Sequence, residues 1–214
     1  REVFNCGQED FCDVGFLLLN NVGGKVMTTI LDTLKNTADE EKAATALAAF
    51  ARENPEALET IIKANQLFLE KFAPSGGENL YNAYRETARA YKKKNLIQSN
   101  YPYDSQNYAE AAAYYLKAAE AAPDAGRKLS SLDGAASMYW NLDDKKQWCR
   151  VKLQQVPSVS DKDKTRLYMD IARETADKKQ QKELYAKALV YAAQMSGDDD
   201  VRAETVNRLK KLTE

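Results

Sequence analysis

The side chains that most often carry acid–base and nucleophilic chemistry are scarce in this chain. None of its 214 residues is histidine, which excludes Ser-His-Asp and Cys-His nucleophiles and any zinc site built on histidine. Its three cysteines, Cys6, Cys12 and Cys149, are too few for a four-cysteine zinc site. The sequence therefore predicts no catalytic residue, no metal and no cofactor.

Carboxylates are the remaining source of acid–base chemistry, and their spacing is unfavourable. Glu40–Glu41 and Asp143–Asp144 are adjacent on predicted helices, so the two side chains of each pair diverge by about 100° and cannot share one substrate. Asp161–Asp163 begins like a calcium loop, but the turn glycine and the final glutamate are missing. Gly23–Lys25 lacks the first glycine of a phosphate loop. A histidine-free enzyme with more distant paired carboxylates stays as a remote alternative.

The cysteines and the first residue bear on the compartment. Cys6 and Cys12 either close a disulfide loop, which would indicate an oxidising compartment, or remain two ordinary thiols. The chain begins with Arg1, which favours a removed signal or pro-segment or an omitted start. We therefore expect an exported protein, periplasmic or extracellular, with a cytoplasmic protein as the alternative. The longest aliphatic run, near residues 16–19, is too short for a transmembrane segment.

Composition indicates the fold class and excludes one class of partner. Only 9 glycines and 5 prolines occur, which favours long helices over a sheet with many turns. Lysine and arginine number 31 against 32 aspartates and glutamates, so bulk electrostatic capture of nucleic acid is not expected. We expect an all-α chain of about nine to eleven helices. A capping box at Thr37–Glu40 starts one helix, and Pro123 and Pro157 each follow another.

Helical residues recur at a spacing typical of a repeat. Pro123 and Pro157 lie 34 residues apart. The pattern Tyr108-Ala109-Glu110-Ala111-x3-Tyr115-x2-Ala118-x4-Pro123 follows a helix with Tyr84-x2-Thr87-Ala88-x2-Tyr91. Weaker copies of the first-helix pattern begin at Leu132 and at Tyr168. Each tyrosine and alanine lies on the face that a helix buries against its neighbour, so we interpret them as packing residues.

Over about residues 80–195 these spacings resemble the tetratricopeptide repeat. The resemblance implies a right-handed α-solenoid of antiparallel helix pairs with a concave surface that binds proteins. We predict an N-terminal helical region at 1–76 that starts with an apolar segment. The repeats and a C-terminal capping helix then occupy 77–214, and the whole forms one continuous domain.

The same resemblance assigns polar or aromatic first-helix positions to the concave surface, and it implies a binding site there. These positions are Asn82, Arg85, Glu86, Arg89, Arg127, Met138 and Arg173. Tyr101 and Tyr103 adjoin them on a loop after Lys92–Lys94, a basic run that either complements a helix dipole or contacts an anionic peptide or glycan. A carboxylate clamp like that of some tetratricopeptide proteins is not expected, because the paired asparagines are absent.

Two functions remain from different classes. The first is a non-enzymatic scaffold that binds a protein or peptide on the concave surface. The second is a structural, exported subunit that assembles into a homo-oligomer, filament or envelope complex. In that case the apolar segment Phe11–Leu19 docks on a neighbouring subunit instead of capping its own chain.

Overall fold

The computed structural model describes residues 29–72, 77–98, 105–194 and 199–213. Cys6, Cys12, the apolar segment Phe11–Leu19, Tyr101 and Tyr103 lie outside these ranges, so the predictions made for them stay predictions.

Ten α-helices account for most of the described residues, and no strand occurs among them. This confirms the prediction of an all-α chain. None of the described helices is long and apolar enough to cross a membrane. The helices are α1 (residues 29–36), α2 (Glu40–Glu53), α3 (Leu58–Phe72), α4 (Gly77–Gln98), α5 (Ser105–Glu120), α6 (Ala125–Asn141), α7 (Lys145–Gln155), α8 (Asp161–Glu174), α9 (Lys178–Gln194) and α10 (Asp199–Thr213).

The chain divides into two compact units, Arg1–Ser75 and Gly76–Glu214. The first contains α1, α2 and α3, and the second contains the remaining seven described helices. Within the second unit each helix packs mainly against the helices before and after it in sequence, and the contact between α7 and α8 is the sparsest of these. Neighbours in sequence are therefore neighbours in space.

The N-cap of α2 is a different residue from the one that the sequence predicted. The Asp39 carboxylate accepts the Lys42 N–H at 3.1 Å and is the N-cap of α2. Thr37 lies two residues earlier, where its hydroxyl accepts the Asp39 N–H at 3.3 Å. The predicted capping box at Thr37–Glu40 is therefore wrong by two residues. Thr and Asp are both good caps, and Thr37 still donates its N–H to Thr33 of α1.

A lysine closes the end of α1 from a distant part of the chain. The Lys71 ammonium donates to the carbonyl oxygens of Leu34 and Lys35 at 3.0 and 2.9 Å, and also to that of Thr37. Leu34 and Lys35 lie in the last turn of α1 and Thr37 follows it, where the helix dipole favours a cation. A side chain of α3 thereby satisfies carbonyl groups that α1 cannot satisfy itself.

Small and aromatic side chains form the core of the second unit, as the repeat pattern predicts. Tyr108 and Tyr115 of α5 are buried, with 5% and 8% of their surface exposed. Gly134 of α6 faces the Tyr115 ring so closely that an added Cβ would lie 2.8 Å from ring carbons. Fully or almost fully buried alanines let the helices approach: Ala88, Ala111, Ala118, Ala135, Ala136, Ala172, Ala188 and Ala192.

The end of α4 differs from the prediction. The sequence places a loop from Asn95 and treats Lys92–Lys94 as a helix terminus, whereas α4 continues to Gln98. Asn95 is 1% exposed and lies two helical turns beyond buried Ala88, so the buried face of α4 extends through it. The basic run therefore belongs to the body of the helix rather than to its last turn.

Candidate binding surface on helix α4

Three of the predicted site residues follow one line along α4. Asn82, Arg85 and Arg89 are spaced by three and four residues, and Lys92 continues the line. These four positions span an arc of about 80° on a regular helix. Asn82 and Arg89 are exposed, whereas Arg85 and Lys92 are half-buried. We call these four residues the cationic stripe.

Two cations of the stripe form no ion pair with any of the described residues. Arg89 pairs with Glu86 on its own helix, Nη1 to Oε1, at 2.8 Å. Among the described residues, neither the Arg85 guanidinium nor the Lys92 ammonium forms an ion pair. A half-buried arginine has given up part of its hydration, so an anion bound there would interact more strongly than at a fully hydrated group.

The phenol of Tyr115 borders the stripe from α5. Burial raises the pKa of Tyr115, while the guanidinium charges of Arg89 and Arg85 act in the opposite direction. Glu86 and Tyr81, also on α4, act in the same direction as burial. Tyr115 is therefore neutral at physiological pH, and its O–H remains a hydrogen-bond donor.

Arg127 lies on α6 and links that helix to α4. Its Nη1 lies 2.7 Å from Glu78 Oε1, its Nε lies 3.5 Å from Asp124 Oδ2, and the guanidinium lies 5.7 Å from the centre of the Tyr81 ring. Asp124 is also the N-cap of α6. Arg127 is thus a cross-link between two helices, and its side chain stays 40% exposed.

Arg173 lies on α8, in surroundings that differ from those of α4. Its Nη1 pairs with Asp170 Oδ1 at 2.9 Å, and Arg166 Nε lies 3.9 Å from the other oxygen of that carboxylate. One aspartate therefore serves two arginines. The positive charge exposed on α8 is partly neutralised by its own helix.

Met138 does not reach the surface. It is 0% exposed and belongs to the core of the second unit, so it is not available to a partner. Its helix, α6, packs against both α5 and α7. The helical period of the sequence reveals one buried face of α6. It does not show that packing against a second helix buries further residues of α6.

Aromatic pairs occupy the edges between helices, each with a lysine close by. Tyr91 and Tyr114 stack between α4 and α5, with ring centroids 5.8 Å apart, and Lys117 lies 5.0 Å from the Tyr114 centroid. Tyr168 and Tyr191 stack in the same way between α8 and α9 at 5.8 Å. These rings join helices, as the packing interpretation of the tyrosines requires.

One tryptophan is more open than the stacked tyrosines. Trp140 is 46% exposed, although its ring lies 5.4 Å from the ring of Trp148, which is buried. The Lys145 ammonium lies over the Trp140 ring. The exposed ring surface is therefore partly covered by a cation of its own chain.

An open groove of about 910 Å³ lies in the first unit, along α1 and α2. Its lining includes the carboxylates of Asp39 and Glu41, which are the acidic groups that a carboxylate enzyme would need. Asp39, however, already accepts an N–H as the cap of α2. No group of three or more potential metal ligands occurs among the residues that the structure describes.

Two residues near this surface were not among the predicted concave-surface positions. Lys92 was named only within the basic run Lys92–Lys94, but it follows Arg85 by seven residues, so the helical period alone could have added it to the stripe. Tyr115 was assigned to packing alone. Its electrostatic interaction with Arg85 and Arg89 arises only because α5 packs on α4.

Comparison with known proteins does not assign this chain to a family. The sequence matches no protein-family model and no curated protein.

Proposed function

We propose that the protein is a non-enzymatic scaffold that binds a protein partner along α4, and that its helices form a right-handed, tetratricopeptide-like solenoid. The observation that supports this most directly is the cationic stripe, where Arg85 and Lys92 lack ion-pair partners among the described residues. Charged side chains that form no ion pair contribute little electrostatic stability to the fold, so binding is the better explanation for these two charges.

Sequential helix packing supports the solenoid. The repeated alanines and tyrosines are buried between consecutive helices, and consecutive helices form the main contacts of the second unit. Repeat proteins have this organisation, since each unit contacts mainly its neighbours. In a crystal structure, α4, α6 and α8 should line one face with α5, α7 and α9 on the other; a closed bundle would contradict the solenoid.

Site-specific photo-crosslinking tests the scaffold function. A photoreactive amino acid at Asn82, which is exposed on α4, should capture a protein in the cells that make this chain. The same amino acid at Ala113, exposed on α5, is the matched control and should capture much less.

The mass of the crosslinked product separates the two functional classes. A product heavier than the 24.0 kDa chain by the mass of a different protein supports the scaffold. A product of twice that mass, containing only this chain, would support the self-assembling subunit instead. No product at Asn82 beyond that at Ala113 would contradict binding along α4.

A further inference from the structure

We propose that the cationic stripe binds an extended peptide segment that carries acidic side chains at every second residue. This inference rests on the proposed scaffold function and names the chemistry of its partner. It concerns side-chain carboxylates along a chain, not the carboxylate at a chain end.

The first step is the spacing of the charges. Arg85 and Arg89 are separated by about 6 Å along the helix axis, and Lys92 lies about 4.5 Å further on. In an extended peptide, residues on one face recur about every 6.6 Å. Alternate acidic residues therefore meet Arg85 and Arg89 directly, and a third carboxylate comes within reach of the long Lys92 side chain.

The second step is the chemistry of each donor. The guanidinium of an arginine is planar and offers two parallel N–H groups to a carboxylate. Arg85 has no carboxylate of its own within the described part of the chain, while the pair between Arg89 and Glu86 is exposed and exchangeable. The exposed Asn82 amide adds a donor one turn before Arg85.

The third step separates a peptide from a continuous polyanion. Glu78 and Glu86 lie on the same helix as the stripe, and each is at least 40% exposed. Their carboxylates interrupt the positive charge of α4, which disfavours nucleic acids and sulfated glycans because their charges are dense and unbroken. A peptide can place neutral residues and backbone N–H donors against these glutamates. The net charge of −1 likewise gives no long-range attraction for a polyanion.

Three synthetic peptides of about ten residues, capped at both ends, test the proposal by fluorescence anisotropy at about 50 mM salt. The first alternates Glu with Ser. The second has the same composition with all Glu residues in one block. The third alternates Gln with Ser. We expect the alternating acidic peptide to bind at least about fivefold more tightly than the block peptide, and the Gln peptide not to bind measurably.

Charge removal on the full chain gives the second measurement. The double variant R85Q/R89Q should weaken binding of the alternating acidic peptide by about tenfold or more. The matched control R150Q/R208Q removes two exposed arginines on α7 and α10 and should leave binding within about twofold. Circular dichroism establishes that both variants keep the helices.

Several outcomes would overturn the proposal. Equal binding of the two acidic peptides would show charge capture without spacing. If an uncapped version of the alternating acidic peptide binds and the capped version does not, the site would be assigned to a terminal carboxylate. Equal loss in both double variants, or no binding of the alternating acidic peptide, would also refute it. If the protein crosslinked at Asn82 is still captured by the R85Q/R89Q variant, the scaffold function is supported and the proposal of an acidic peptide partner is refuted.

Discussion

The helix pairs α4–α5 and α8–α9 have similar interiors and different surfaces. Each stacks a tyrosine of its first helix on a tyrosine of its second, with centroids 5.8 Å apart and ring planes 20° and 12° from parallel. Each also buries alanines between its helices, such as Ala111 in one and Ala188 in the other. The packing is therefore close to a repeat.

The charges of the two pairs are arranged differently. On α8, Asp170 lies between Arg166 and Arg173 and contacts both. On α4, neither Arg85 nor Lys92 has such an acidic partner among the described residues. Packing tolerates few changes in volume, whereas exposed charges can change at little cost to stability. In the proposed function, one helix pair can therefore carry the recognition although the two pairs have similar interiors.

The largest expected effect tests the similar interiors. Leu in place of Ala111 or of Ala188 should overpack each helix pair and lower the free energy of unfolding by about 1–3 kcal/mol, because both sites are 0% exposed. The matched controls are Ala113→Leu on α5 and Ala186→Leu on α9, which are exposed and should change stability by less than about 0.5 kcal/mol. Urea denaturation measures all four. A loss at only one buried site would break the comparison.

A second test concerns the stacked tyrosines. Double-mutant cycles with Leu at Tyr91 and Tyr114, and with Leu at Tyr168 and Tyr191, should each yield a coupling free energy of about 0.5–1.5 kcal/mol in favour of the ring pair. Chemical denaturation of the single and double variants supplies the values. Coupling near zero in either cycle would show that the rings are neighbours without a specific interaction.

A third test uses the hydroxyls that the first helices bury. Thr87 of α4 donates to the Ala83 carbonyl and Thr165 of α8 to the Asp161 carbonyl, at 2.8 and 2.9 Å. Ser131 of α6 is 0% exposed, and its hydroxyl has no partner in the described structure. Ser131→Ala should raise the free energy of unfolding by about 0.5–1 kcal/mol. Thr87→Val should raise it less, and equal gains in thermal melts would contradict this distinction.

A fourth test makes α8 more similar to α4. Asp170→Asn frees Arg166 and Arg173, so binding of the alternating acidic peptide should strengthen by about two- to fivefold at low salt. The control Asp163→Asn removes an exposed carboxylate near the start of the same helix without freeing these arginines. Equal effects of the two variants in anisotropy titrations would show that net charge, and not the local pairing, governs binding.

The smallest effect at neutral pH is that of two tyrosine hydroxyls. Burial raises the pKa of Tyr115, and partial burial is the first cause of the raised pKa of Tyr168. The folded protein thus holds these protons more tightly than the unfolded chain, so their contribution is complete below pH 10.0 and is lost as pH rises through the raised values. The variant Y115F/Y168F should lose less stability than the parent in urea titrations above that pH. Parallel profiles would contradict the assignment.

Much of the fold could be predicted from the sequence, because helices and their buried faces are local patterns. Tyr108, Ala111 and Tyr115 recur at helical spacing and are buried. The candidate surface was less predictable. Arg85 and Arg89 were placed on one helix correctly, but Met138 is buried in the core, and the pairing of Arg127 with Glu78 joins residues far apart in sequence.

By itself, the sequence determined that the chain is helical, that alanines and tyrosines at helical spacing, such as Ala111 and Tyr115, pack, and that histidine chemistry is absent. Only the tertiary structure decided which charges are neutralised between helices. Glu78 of α4 meets Arg127 of α6, and Arg85 meets no carboxylate in the described residues. Helical periodicity arises within a few residues of backbone, whereas a Coulomb interaction depends on distances of a few ångströms in space. Those distances are fixed only when the helices pack.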